Sequence, residues 1–152
     1  HGGLTIGSEM SAGVKNILVE DCTFNGTNIG LRFKSRVGRG GSIENIWVRN
    51  ITMDNIKNSA IDFTMQYDGE PIEKVMNYQQ KNAELVNAPT FRNFHIENIV
   101  CNKAKSAINL IGLPGDYLRE LHFKDITIRS RNGITSKDVN DISFLNVIIN
   151  GE

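Results

Sequence analysis

The sequence predicts an all-β solenoid, a right-handed single-stranded parallel β-helix. Two observations predict it: one template of apolar positions recurs five times, and the same polar residue types return at the same bends in each copy. The copies are VKNILVEDCTF from Val14, IENIWVRNITM from Ile43, FRNFHIENIVC from Phe91, LRELHFKDITI from Leu118 and VNDISFLNVII from Val139. Positions one, four, six, nine and eleven are apolar in every copy; in the last they are Val139, Ile142, Phe144, Val147 and Ile149. Such self-similarity marks a repeat architecture. Positions four and six, then nine and eleven, have the two-residue period of a strand with one buried face. Each copy is therefore expected to hold two short strands with a bend between them.

The bend falls at position eight, which holds Asp21, Asn50, Asn98, Asp125 and Asn146. Position three is similar, with Asn16, Asn45, Asn93, Glu120 and Asp141. Asn and Asp hydrogen-bond to nearby backbone and accept turn geometry. Like residues returning in successive turns are expected to stack as side-chain ladders, which requires a parallel stack. Position seven runs Glu20, Arg49, Glu97, Lys124, the alternation of sign that neighbours on adjacent strands prefer.

A third short strand follows each template and opens on a small residue: Gly30-Leu31-Arg32-Phe33, Ala60-Ile61-Asp62-Phe63, Ala107-Ile108-Asn109-Leu110 and Gly133-Ile134-Thr135-Ser136. Gly3-Leu4-Thr5-Ile6 supplies one more rung ahead of the first template. Template starts at 14, 43, 91, 118 and 139 are separated by 29, 48, 27 and 21 residues. Three of these spacings suit one coil each; the long one implies an insertion over about 64–89, polar and carrying Gly69, Pro71 and Pro89, read as a loop over one flank. Residues 1–152 form a single β-helix domain on this reading. A leucine-rich repeat has a similar period, but the recurring leucines and a helical return are missing.

Composition narrows the function. Lys+Arg and Asp+Glu are balanced at 17 each, so no global field favours nucleic acid, a membrane or an acidic polymer, and charge recognition must be local. Cys22 and Cys101 lack zinc-site spacing and sit at inward template positions, where they read as small apolar residues. No cofactor and no metal site is implied. The chain opens at His1 without a methionine or an apolar leader and is expected to be part of a longer protein.

Chemistry is expected on the outward face of the third strand. Arg32 and Lys34 lie two residues apart on a strand whose other face is Leu31 and Phe33, so both cations point outward and can clamp one anionic group. Gly30 to Ser42 also holds Arg36 and Arg39 and contains no acid before Glu44; the alternative is a solvated basic loop. Aligning Gly3-Leu4 with Gly30-Leu31 puts His1 in the column of Asn28, one coil from the cations. Asp62 aligns with Arg32 and reads as its ion-pair partner, with Glu9 the other nearby carboxylate. His95 and His122 share position five of adjacent copies, but no third ligand completes a metal site there. Asn25-Gly-Thr27 and Asn50-Ile-Thr52 match a glycosylation sequon and read better as turns.

On these residues the chain resembles the polygalacturonase family of glycoside hydrolases, whose fold is the pectin-lyase-like β-helix. HGGLTIGSE resembles the family's Gly-His-Gly segment without its first glycine, and GLRFKS resembles the Arg-Ile-Lys motif one coil later, with Phe33 in place of isoleucine. GVKNILVEDCTFNGTNIG and RVGRGGSIENIWVRNITM resemble the linking coils of bacterial members. The resemblance implies hydrolysis of α-1,4-linked galacturonate with inversion, by one carboxyl that protonates the leaving oxygen and carboxylates that activate water. The family carries those acids in Asn-Thr-Asp and Asp-Asp motifs ahead of Gly-His-Gly, and neither motif is present here. The resemblance assigns His1 as the histidine supporting the catalytic carboxylates, and Arg32, Lys34 and Asn28 to substrate. It further implies pectic polysaccharide as partner, no nucleic acid, membrane or obligate protein partner, and a secreted or periplasmic location. Other readings are a hydrolase of rhamnogalacturonan or another uronate glycan, and a non-catalytic glycan-binding β-helix.

Overall fold

The computed structural model describes residues 1–66 and 87–151. Among them are eight strands and no helix: β1 (Gly2–Ile6), β2 (Val14–Asn25), β3 (Ile29–Lys34), β4 (Ser42–Asp54), β5 (Ile56–Thr64), β6 (Thr90–Ile111), β7 (Leu118–Lys137) and β8 (Asn140–Asn150). Every pairing is parallel, with β2, β4, β6, β7 and β8 stacked along one track and β1, β3, β5 and the later parts of β6 and β7 along another. The template copies stack position on position: Val14 faces Ile43, Ile43 faces Phe91, Phe91 faces Leu118, and Arg119 faces Asn140. The fold is the right-handed parallel β-helix that the period implies.

The strands differ from expectation in length. Two short strands per template merge into single long ones, twelve residues in β2 and twenty-two in β6, because the bends do not break the ladder. All ten residues at positions three and eight are left-handed, with φ between 51° and 58°. One residue in that conformation turns the chain while its neighbours keep their inter-coil hydrogen bonds, and Asn and Asp reach it more easily than other side chains. The expected ladders form. Asn45 Nδ2 donates to Asn16 Oδ1 (2.9 Å) and Asn93 Nδ2 to Asn45 Oδ1 (2.8 Å). Asn50 donates to Asp21 (2.9 Å), Asn98 to Asn50 (2.8 Å) and Asn146 to Asp125 (2.8 Å). Both ends of the Asn50 amide are thus engaged within the stack, which supports the turn reading of its sequon.

The interior is a column of side chains from all three faces. Phe33, Phe63 and Phe94 meet at centroid distances of 4.6 to 5.0 Å, mostly edge to face, the arrangement ring quadrupoles favour. Small residues open the third strand for a packing reason. A Cβ on Gly30 would lie 2.3 Å from Met53 Sδ and 2.4 Å from the Ala60 carbonyl oxygen, so the position-eleven side chain occupies the space. Cys101 is buried, its thiol pushed up to about 11 by desolvation; Cys22 is half-buried, and both are free thiols.

Outward columns carry ion pairs. Glu20 and Arg49 meet at 2.7 Å in the alternating column. Glu44, nearly buried, lies between Lys15 and Arg92 at 2.5 Å from each, and hydrogen bonds from Lys15 and then Arg92 hold its carboxyl below the usual range. The insertion begins later than its expected bound, since Thr64 closes β5 and the buried Met65 donates its N–H to the Ile111 carbonyl (2.9 Å). Residues 67–86, most of the expected loop, lie outside the described residues.

Candidate active-site row

The third strands stack into one outward polar row. Thr5 faces Arg32, Arg32 faces Asp62, Asp62 faces Asn109, and Asn109 faces Thr135. Lys34 lies beside the row and faces Thr64. Alternation puts Leu31 and Phe33 fully inside, which directs Arg32 and Lys34 outward on the same face. The preceding coil comes close here: a Cβ on Gly7 would lie 1.8 Å from the Lys34 carbonyl oxygen, and Gly7 has φ of 101°, so this turn accepts glycine alone.

His1 and Asn28 occupy one column in adjacent coils. The Asn28 and Ile29 N–H groups both donate to the His1 carbonyl, at 2.9 and 3.1 Å. The Asn28 side-chain oxygen accepts from Asn58 Nδ2 at 2.6 Å, which holds its carboxamide at the start of the strand. His1 is therefore positioned one coil away from the Arg32–Lys34 pair by backbone bonds, with its own residue exposed.

The basic stretch is less one-sided than its sequence suggests. Arg39 forms an ion pair with Glu9, and Arg32 Nε lies 3.9 Å from Asp62 Oδ2, so two of the cations meet acids brought in from neighbouring coils. Asp62 is buried and is held more closely by Asn109, whose Nδ2 donates to Oδ1 at 2.7 Å. Burial raises the Asp62 carboxyl above its ordinary range, opposed by the Asn109 bond and the Arg32 charge. Asn109 was not singled out as a site residue from sequence, though its place one rung beyond Asp62 could have shown it.

His95 and His122 do lie side by side, with ring centroids 4.9 Å apart, and Trp47 stacks on His95 at 5.3 Å. The rings stack face to face and their nitrogens turn to other partners. His95 Nε2 meets Asn93 Oδ1 at 2.9 Å and His122 Nδ1 meets Ser143 Oγ at 2.8 Å. Among the described residues no cluster of three or more His, Cys, Asp or Glu is arranged to hold a metal ion.

Residues 1–147 match the model of the family described as glycosyl hydrolases family 28. A probable polygalacturonase of Vitis vinifera is 29% identical over 125 residues, 82% of this chain and 24% of the relative. An exo-poly-alpha-D-galacturonosidase of Dickeya chrysanthemi is 23% identical over 150 residues, 94% of this chain and 23% of the relative. An endo-polygalacturonase of Pectobacterium parmentieri is 26% identical over 138 residues, 91% of this chain and 30% of the relative. The chain spans less than a third of the length of each of these curated relatives. A parallel stack with five superposable copies and a family match running almost end to end agree, and the chain belongs to glycosyl hydrolases family 28.

Proposed function

We propose that this chain supplies the substrate-positioning part of a pectin hydrolase that cleaves α-1,4-galacturonosyl bonds with inversion. The observation that carries the reading is the outward pair Arg32 and Lys34 on β3, one coil from His1, whose strand faces β3 with Thr5 opposite Arg32. In this reading Arg32 and Lys34 hold a galacturonate carboxylate beside the scissile bond. A planar guanidinium matches a carboxylate with two parallel hydrogen bonds, and lysine adds a point charge. Asn28 holds the sugar, and His1 positions the catalytic carboxylates. The acid and the base come from residues outside this chain, so the isolated chain is expected to release no reducing sugar from polygalacturonate. The same reading puts the protein in the secreted or periplasmic space, where pectic polymers are met.

The test is made in the natural protein that contains these residues. Arg32→Ala removes a charged contact with a net value of about 1.5–3 kcal/mol, a roughly ten- to hundredfold loss in kcat/KM. Arg32→Lys is expected to recover part of it. Wild type should discriminate strongly against a methyl-esterified substrate and Arg32→Ala much less so. Because Asp62 lies beside Arg32, melting curves must show both variants folded. Equal preference of wild type and Arg32→Ala for free acid over ester would refute the clamp.

A further inference from the structure

Two carboxylates are buried among the described residues, Glu44 and Asp62, and they are compensated differently. Glu44 sits between Lys15 and Arg92 at 2.5 Å from each, and hydrogen bonds from both hold its carboxyl down. Asp62 has one cation, Arg32, whose Nε stands 3.9 Å from Oδ2. Its other oxygen accepts from a neutral amide, Asn109 Nδ2, at 2.7 Å. A carboxylate withdrawn from water needs close partners to stay charged. With this looser set desolvation outweighs both partners, and the Asp62 carboxyl rises.

The backbone gives no reason for an acid here. The Asn and Asp ladders of this fold stand at left-handed bends, where the side chain makes the turn possible. Asp62 lies inside β5 and Asn109 inside β6, and neither has a positive φ. Along the row, Thr5 and Thr135 are exposed, Arg32 and Asn109 are half-buried, and Asp62 between these two is buried. Register sets it opposite Arg32 on one side and Asn109 on the other, so one oxygen turns to each. The charged groups that face it come from β3: Arg32, with Lys34 one step along opposite Thr64. From β6 it meets the neutral Asn109, with Ile111 opposite Thr64.

Taking Arg32 in the role proposed above, we infer that Asp62 is a specificity-determining residue of the clamp: it shares the Arg32 guanidinium with the sugar carboxylate, so its charge weakens the hold on a uronate and its protonation strengthens it. Two anions beside one guanidinium repel each other, so a bound uronate favours the neutral form of Asp62. Binding therefore draws a proton onto Asp62 wherever that group is still ionised. By linkage, affinity rises as pH falls through the Asp62 titration. Burial carries that titration above the ordinary carboxyl range, so the rise starts before a solvated uronate is itself neutralised.

Calorimetric titration of the natural protein with galacturonate, a ligand without a bond to cleave, tests this; buffers of different ionisation enthalpy report the protons taken up. Asp62→Asn removes the charge and keeps an oxygen for the Asn109 bond. At neutral pH it is expected to bind galacturonate about tenfold more tightly than wild type, the order expected of one charge a few ångströms away at a half-exposed site. Galacturonate methyl ester should bind both proteins alike. As pH falls, wild type should approach the affinity of the variant and take up protons that the variant does not. The difference between the two proteins cancels His1, the uronate itself and carboxylates from outside this chain. Asn109→Ala removes the bond that opposes the rise, so its proton uptake should begin at higher pH than in wild type. Unchanged or weaker galacturonate binding by folded Asp62→Asn would overturn the inference, as would equal proton uptake in the two proteins or an equal gain on the ester. Should melting curves show Asp62→Asn unfolded, Asn109→Ala decides, and uptake at the wild-type pH would overturn it. If Arg32→Ala fails the ester test, the clamp and this role of Asp62 fall together; if it passes while Asp62→Asn behaves as wild type, the clamp stands and the role of Asp62 alone falls.

Discussion

Asn45 is the most informative single residue for the stack, because it combines a left-handed backbone with ladder bonds on both sides. Its φ is 58°, its Nδ2 donates to Asn16 and its Oδ1 accepts from Asn93. Asn45→Ala removes two hydrogen bonds with a net value of about 0.5–1.5 kcal/mol each. It also places a Cβ residue without a local hydrogen bond in the left-handed region, whose full cost is about 1–2 kcal/mol and part of which Asn already bears. The sum is a destabilisation of about 2–4 kcal/mol, a large fraction of the ~5–15 kcal/mol that holds a domain together. Asn45→Gly loses the same bonds but is relieved of the steric cost, and should be more stable than the alanine variant by up to about 1 kcal/mol. Asn146, whose ladder bond reaches only Asp125, should lose less on replacement by alanine than Asn45 does. Equilibrium urea unfolding followed by circular dichroism at a common protein concentration measures all three. Equal stability of Asn45→Ala and Asn45→Gly would refute the backbone part of the reasoning, and a silent Asn45→Ala would refute the ladder.

Phe94 packs against Phe33, Phe63 and Phe91 and is fully buried, so Phe94→Ala should cost about 3–5 kcal/mol; a loss under 1 kcal/mol would show that the aromatic column can collapse around the gap. His95 has its pKa lowered from 6.5, first by desolvation in the ring stack and then by His122, with Glu97 opposing. The unfolded chain therefore binds this proton more readily, and stability should fall as pH drops through about 6.5, a slope that His95→Gln should reduce. Identical slopes for the two proteins between pH 7 and 5 would exclude His95 as its source. As an isolated chain, residues 1–152 expose Phe144, Leu145 and Ile148 on β8, which pairs with β7 along one edge, and light scattering should show association that grows with concentration. A monodisperse monomer at high concentration would contradict that.

The sequence by itself determined the architecture and the register. Five inward residues per coil must all remain inside, and sliding one coil by a single residue would turn its apolar set outward; the template therefore dictates that Val14 faces Ile43 and Ile43 faces Phe91. The bends were legible for a similar reason, since few side chains accept φ near 55° and Asn or Asp stands at nine of the ten positions. The outward placement of Arg32 and Lys34, and the shared column of His1 and Asn28, followed from the same alternation.

Tertiary structure decided what meets across segments that do not repeat. The pairing of Glu9 with Arg39 joins the turn after β1 to the turn after β3, and no template position links them. Asp62 looked like the partner of Arg32, yet its close bond is to Asn109, because adjacent rungs leave it a choice and side-chain reach settles it. The register shifts between Ile56 and Ser59 and between Cys101 and Ala104 are two bulges, and a bulge is one unpaired residue that shifts every side chain after it. Periodicity is a property of positions that repeat; contacts made by turns and bulges depend on how far each coil departs from the period, and only the folded chain shows that distance.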